Sequence, residues 1–180
     1  MSYDIKVPFN VIVKSVGTSN GAIELKGSHG DTEISTSNGT IDVEDSKGDI
    51  DASTSNGTIK IKDVTGYVSA RTSNGSIRVE RTTGVVVLET SNGTIETDVR
   101  GVGENGLRVR TSNGAIELKI DPALDIDLEA KNSNGKITVK DLEVVVQEIS
   151  KTSLRGRLGE GGKKVSCRTS NGAIELSSLN

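Results

Sequence analysis

A four-residue phrase, Thr-Ser-Asn-Gly, recurs with its glycine at positions 21, 39, 57, 75, 93, 114 and 172. An eighth copy, Asn132-Ser133-Asn134-Gly135, departs only at its first residue. The glycine spacings of 18, 18, 18, 18, 21, 21 and 37 mark an array of short units, which buries apolar surface by stacking neighbour on neighbour. An isoleucine stands two residues after every one of these glycines, from Ile23 to Ile174, and usually an aliphatic residue two beyond it. Five and seven residues before the glycine are mostly apolar too, as in Val68 and Ala70 or Leu107 and Val109. Alternation on both sides of an Asn-Gly corner gives each unit two short strands and two corners.

Strand, Asn-Gly, strand is also the signal for a β-hairpin, so the alternative is an antiparallel hairpin barrel or meander. A two-residue loop at Asn74-Gly75 would set Arg71 opposite Arg78, and the same register sets Glu89 opposite Glu96 and Arg108 opposite Lys119. Like charges facing each other across a strand pair are unfavourable. In a parallel stack the neighbours lie one repeat apart instead. The column five after the glycine then reads Lys26, Glu44, Lys62, Glu80, Asp98, Lys119, with alternating sign at most steps. Identity weighs more: stacked coils reward the same residue at every level, with matched shape and hydrogen bonding, and hairpins do not. The sequence therefore predicts an all-β chain folded as a parallel, right-handed, single-stranded β-solenoid (β-helix) with coils of about 18 residues.

One domain over 1–180 is expected, with a cap strand at 1–13, regular coils over 14–140, a degenerate coil or insertion over 141–162 and the last coil at 163–180. The degenerate coil is read from Gly156, which keeps an apolar residue, Leu158, two places on; valines at 144–146 favour a strand there. The cap carries Tyr3 and Phe9 in alternation with other apolar residues, as covering an open solenoid end requires. Parity along the strand turns Thr and Asn toward the corner of the core and Ser outward. Asn20, Asn38, Asn56, Asn74, Asn92, Asn113, Asn134 and Asn171 should form a structural amide ladder, with Gly supplying a positive φ at the turn. Cys167 shares an inward column with Ala52, Ala70 and Val109 and reads as a core residue.

Composition excludes several functions. With one Cys and one His among 180 residues, a disulfide framework, a cysteine-rich zinc site and His-based catalysis lack their parts. Three aromatics and a net charge of -3 leave neither stacking platforms nor a general basic surface, so nucleic acid is not an expected partner. No membrane insertion is expected either, since no apolar run is long enough to span. No catalytic residues and no bound cofactor are expected; Ca²⁺ is the one candidate ligand ion.

Asp31, Glu33, Asp49 and Asp51 are the candidate metal ligands. They should gather on adjacent coils near the acidic N-terminal end, and oxygen ligands of that kind suit Ca²⁺. Arg108, Arg110, Lys131 and Arg168 should line one strip with Lys163 and Lys164, where an anionic glycan could lie. Four Asn-Gly-Thr/Ser sequons, at Asn38, Asn56, Asn74 and Asn92, are by-products of the repeat if their amides are in the ladder. The leading expectation is a structural or adhesion-type protein whose flat faces meet protein or surface glycan. The alternative is a ligand-binding module. Because the first full coil and the last share Thr-Ser-Asn-Gly-Ala-Ile-Glu-Leu, end-to-end or side-by-side homo-oligomers are conceivable partners.

The repeated T-S-N-G-x-I-x-[VL] phrase resembles an adhesin-type β-strand-repeat family of bacteria and archaea that carries a domain-of-unknown-function label. The opening Tyr3-Asp4-Ile5-Lys6-Val7-Pro8 is similar to its leading strand, and Gly159 to Leu176 is similar to its glycine-rich segment and final coil. The resemblance implies a single-stranded β-helix and a surface or adhesive role, with no catalytic residues to carry over. It also implies a cell-surface location, whereas the chain's own residues, with no leader or anchor to read, point to the cytoplasm.

Overall fold

The computed structural model describes residues 11–179, and it is built entirely of strands and connections. Residues 1–10, which carry most of the expected cap strand, lie outside the described residues. Among the described residues sixteen strands join in one hydrogen-bonded sheet, wound so that each coil lies parallel to the next. The pairing is in register with the repeat. Ile41 faces Ile59, Ile59 faces Ile77, and Thr54, Asn56 and their counterparts face Thr72 and Asn74. The chain is thus a parallel β-solenoid, and the hairpin alternative falls for the coils.

Two strand faces meet at the Asn-Gly corner. The first face is made by the strands leading into each asparagine, such as Thr32–Asn38 and Ile50–Asn56. The second is made by the strands that follow, such as Ile41–Lys47 and Ile95–Val99. Between them lie the inward columns. Ile41, Ile59, Ile77, Ile95, Ile116 and Ile174 are each 0% exposed, which contributes about 1.5–3 kcal/mol per side chain. Cys167 lies in this core as expected, and burial pushes its thiol up to about 12.

The order of coils departs from the sequence. Coils follow one another up to the one containing Leu107–Arg110 and Ile116–Ile120. The chain then skips a level, forms Ile126–Asn134 and Ile137–Lys140, and comes back. Its final strands, Lys163–Asn171 and Ile174–Ser178, insert between those two coils. The phrase at 169–176 therefore sits inside the stack, against its identical copy at 111–118, and forms no end for head-to-tail growth.

The degenerate ninth coil does not form. Val145–Ile149 is a strand, as its valines suggest, but it runs antiparallel to Ser153–Leu158, which in turn runs antiparallel to Ile126–Asn134. This hairpin covers the edge of the outermost coil. Gly156 lies mid-strand between Leu128 and Val146, and a Cβ there would come within 2.7 Å of Val144. Close packing of the hairpin, not a coil corner, explains that glycine.

The corner itself works differently from its sequence reading. The phrase threonines Thr36, Thr54, Thr72, Thr90, Thr111 and Thr169 are inward and buried, and each hydroxyl donates to the corner glycine carbonyl one coil back at 3.0–3.3 Å. Ser and Asn both face outward, because alternation stops where the chain turns. The asparagines are exposed, yet the ladder is unbroken. Each amide donates to the asparagine one level before it at 2.8–2.9 Å, in spatial order from Asn134 through Asn171 and Asn113 back to Asn20.

The corner glycines answer to contact more than to φ. Gly21, Gly75 and Gly93 alone among the described ones have positive φ. A Cβ on Gly57 would sit 1.9 Å from the carbonyl oxygen of Gly39, and Gly39, Gly75, Gly114 and Gly172 meet the same obstacle at 1.9–2.0 Å. A second corner, six residues on, has no mark in the repeated phrase. Gly27, Asp45, Asp63, Arg81 and Asp141 all occupy the left-handed region there, with φ between 50° and 64°. Arg81 forks Asp63 of the coil before it at 2.7 and 2.9 Å, which holds the Asp63 carboxyl below its ordinary value.

Candidate functional site

Charge is compensated over much of the surface. On the second face Glu44 lies between Lys26 and Lys62 and pairs with both, as the alternating column predicts. Lys62 and, more weakly, Lys26 draw the Glu44 carboxyl down, and Glu44 raises Lys62 in turn. Near the hairpin, Glu129 is only 14% exposed and gathers Lys131 at 2.7 Å, Lys164 at 2.5 Å and Arg155 at 3.9 Å. Those hydrogen bonds, Lys131 first and Lys164 next, pull its carboxyl down to about 2.

The four acids expected to gather around a metal are divided between two tasks. Asp31 accepts the backbone N–H of Asp49 at 2.9 Å, and Asp49 accepts that of Tyr67 at 2.8 Å. Each carboxylate thus caps the coil stacked on it at a third corner. Glu33 and Asp51 do stand side by side on the first face, but Asp51 meets Arg71 at 3.3 Å. Among the described residues no group of three or more His, Cys, Asp or Glu side chains is placed to hold a metal ion.

The first face carries the surface with the most chemistry. A shallow groove of about 570 Å³ runs across its strands, floored by the threonine column and lined by Arg71, Glu89, Arg110, Arg168 and exposed serines. Its central column reads Ser53, Arg71, Glu89, Arg110, Arg168, Lys131 from coil to coil. Arg71 is matched by Asp51 and Glu89, and Lys131 by Glu129. Arg110 and Arg168 stand next to each other with no ion pair among the described residues, and so does Arg108 beside them. Of the expected basic strip, Arg110, Arg168 and Lys131 share this column, and Arg108 occupies the next one with Ser166 and Glu129. Lys164 is engaged with Glu129, and Lys163 donates to the Val102 carbonyl at 3.2 Å.

The neighbouring outward column is all serine: Ser37, Ser55, Ser73, Ser91, Ser112, Ser170 and Ser133, every one exposed. Flatness and repetition are legible from the phrase itself. The compensation of Arg71 and Lys131, and its absence at Arg108, Arg110 and Arg168, needs side-chain geometry. No helix among the described residues is long and apolar enough to cross a membrane.

Comparison with curated proteins finds no match, and comparison with solved structures finds none. A family model described as Toastrack DUF4097 matches residues 70–177, a stretch that includes the skipped level, the hairpin and the inserted coil. That match takes in well over half of the chain, which belongs to the Toastrack DUF4097 family.

Proposed function

We propose that this chain is a non-enzymatic, adhesion-type β-helix scaffold that presents flat strand faces to a protein or glycan partner, at a cell surface. The observation that carries this reading is the exposed serine column beside the groove on the first face. Backbone hydrogen bonds and the Asn and Thr ladders fix that face, so it meets a partner without an ordering cost. The acids at the N-terminal end support a Ca²⁺ role less well, since Asp31 and Asp49 already accept backbone N–H groups.

The test uses beads coated with the full chain, scored for clumping with one another and with bacterial cells. A Ser55→Lys/Ser73→Lys/Ser91→Lys variant should abolish clumping while melting as the wild type does, because these side chains are exposed. Wild-type beads that never clump, or a variant that clumps equally, would contradict the reading.

A further inference from the structure

We propose that Arg108, Arg110 and Arg168, flanked by Ser112 and Ser170, form an oxyanion site for the carboxylate or sulfate groups of an acidic polysaccharide. This deepens the scaffold reading by naming a ligand class for its first face, and it rests on that reading only for its biological setting.

Arg110 and Arg168 are register partners on adjacent coils, so their backbones are about 4.8 Å apart. Arg108 lies two residues along the strand from Arg110, about 6.6 Å away. Stacking like charges costs free energy, and elsewhere on the solenoid charged side chains avoid that cost by pairing between coils. Here the inserted C-terminal coil brings a third guanidinium to two others, and no carboxylate of the described residues answers any of them.

Two guanidinium forks facing outward from neighbouring strands can share one oxyanion, and the third can take the next group along a chain. The strands hold them rigidly. The serine hydroxyls beside them donate and accept, as sugar hydroxyls require. Glu89, on the coil before Arg110, repels anions and so marks the end of the site. Nucleic acid fits less well, because the groove lining includes no aromatic side chain on which a base could stack.

Binding is measured by calorimetry at low and moderate salt with the full chain. The probes are heparin for sulfate, polygalacturonate for carboxylate, dextran as a neutral polymer and single-stranded DNA as a non-sugar polyanion. The variant Arg110→Ser/Arg168→Ser is compared with Lys60→Ser/Lys136→Ser, which removes the same charge from exposed positions away from the groove. The expected result is binding to at least one acidic glycan, none to dextran and weaker binding to DNA. The arginine variant should bind the glycan weaker by about tenfold or more, with the lysine variant unchanged. Which acidic polymer binds tells sulfate from carboxylate.

Equal losses in both variants, equal or tighter binding of DNA, or no glycan binding at all would overturn the proposal. So would sedimentation showing a wild-type dimer that the arginine variant dissociates, which would make a second copy, through Glu33 and Asp51, the occupant. Glycan binding without bead clumping would retain the oxyanion site and remove the adhesive role. Clumping without glycan binding would do the reverse.

Discussion

The side-chain amide of Asn171 donates to Asn113 at 2.8 Å across 58 positions of sequence, while its own oxygen accepts from Asn134 at 2.9 Å. The last repeat of the chain is therefore held on both sides by earlier ones. The coil containing Ile126–Asn134 has no parallel partner until the C-terminal strands arrive. That coil, and the arginine cluster, are completed only by the strands at 163–178.

The corner glycines give the sharpest contrast in stability. Gly57→Ala drives a methyl group to 1.9 Å from the Gly39 carbonyl oxygen and must separate two coils. It should cost about 3 kcal/mol in denaturant unfolding. Gly17→Ala meets the Ser35 hydroxyl at 3.3 Å, which can turn aside, and the Ser35 carbonyl oxygen at an ordinary contact of 3.7 Å, and should change stability by less than about 0.5 kcal/mol.

Within one phrase, Asn74 and Ser73 are both exposed, but only Asn74 belongs to the ladder. It donates to Asn56 at 2.9 Å and accepts from Asn92 at 2.8 Å. Asn74→Ala should lose about 1 kcal/mol, since water partly replaces both bonds. Ser73→Ala should melt within error of the wild type; equal losses would show that the ladder contributes nothing.

At Asn132 the repeat departs from its threonine, and the departure is costly. The side chain is 8% exposed, and among the described residues neither its amide nitrogen nor its oxygen has a hydrogen-bond partner. Asn132→Thr places a hydroxyl where the coils of Thr36, Thr54, Thr72, Thr90, Thr111 and Thr169 send one to the glycine carbonyl of their neighbour, here Gly172. Stability should rise by about 1 kcal/mol in denaturant melts.

Acid sensitivity should concentrate at Glu129. Its carboxyl is drawn from an ordinary value of 4.5 to about 2 in the folded chain, so the folded state binds its proton less readily than the unfolded state. The resulting stabilisation is complete above the unfolded value and fades as pH falls toward the folded one. Glu129→Gln should therefore melt lower than wild type at neutral pH, and the gap should narrow between about pH 5 and pH 2. A gap constant across that range would contradict the assignment.

The coil register was legible because it is written eight times over. Identical Thr, Asn and Ile residues at matched offsets have only one way to meet, and Ile59 against Ile77 or Thr54 against Thr72 follows from counting. The order of the last coils was not legible for the same reason. The phrases at 111–118 and 169–176 are identical, so no local feature tells either which neighbour to choose. Parity failed at the corner, where Ser and Asn turn outward together, and it could not foresee a left-handed Asp63 or Arg81 on what reads as a plain strand. The basic strip was visible as a grouping. That Glu129 takes Lys131 and Lys164 and leaves Arg110 and Arg168 unmatched depends on side-chain reach.

The insertion of the C-terminal coil is tested most directly by cysteine cross-linking across the exposed serine column. Ser170 neighbours Ser112 on one side and Ser133 on the other, by the registers of the flanking Asn113, Asn171 and Asn134. Those pairs lie about 4.8 Å apart, within disulfide range, whereas Ser112 and Ser133 are two coils apart at about 9.6 Å. Cys167 is buried and its thiol is pushed up to about 12, so it does not compete. Mild oxidation should link Ser112→Cys/Ser170→Cys and Ser133→Cys/Ser170→Cys and leave Ser112→Cys/Ser133→Cys reduced; a ready link in the last pair, with none between 112 and 170, would contradict the stacking order.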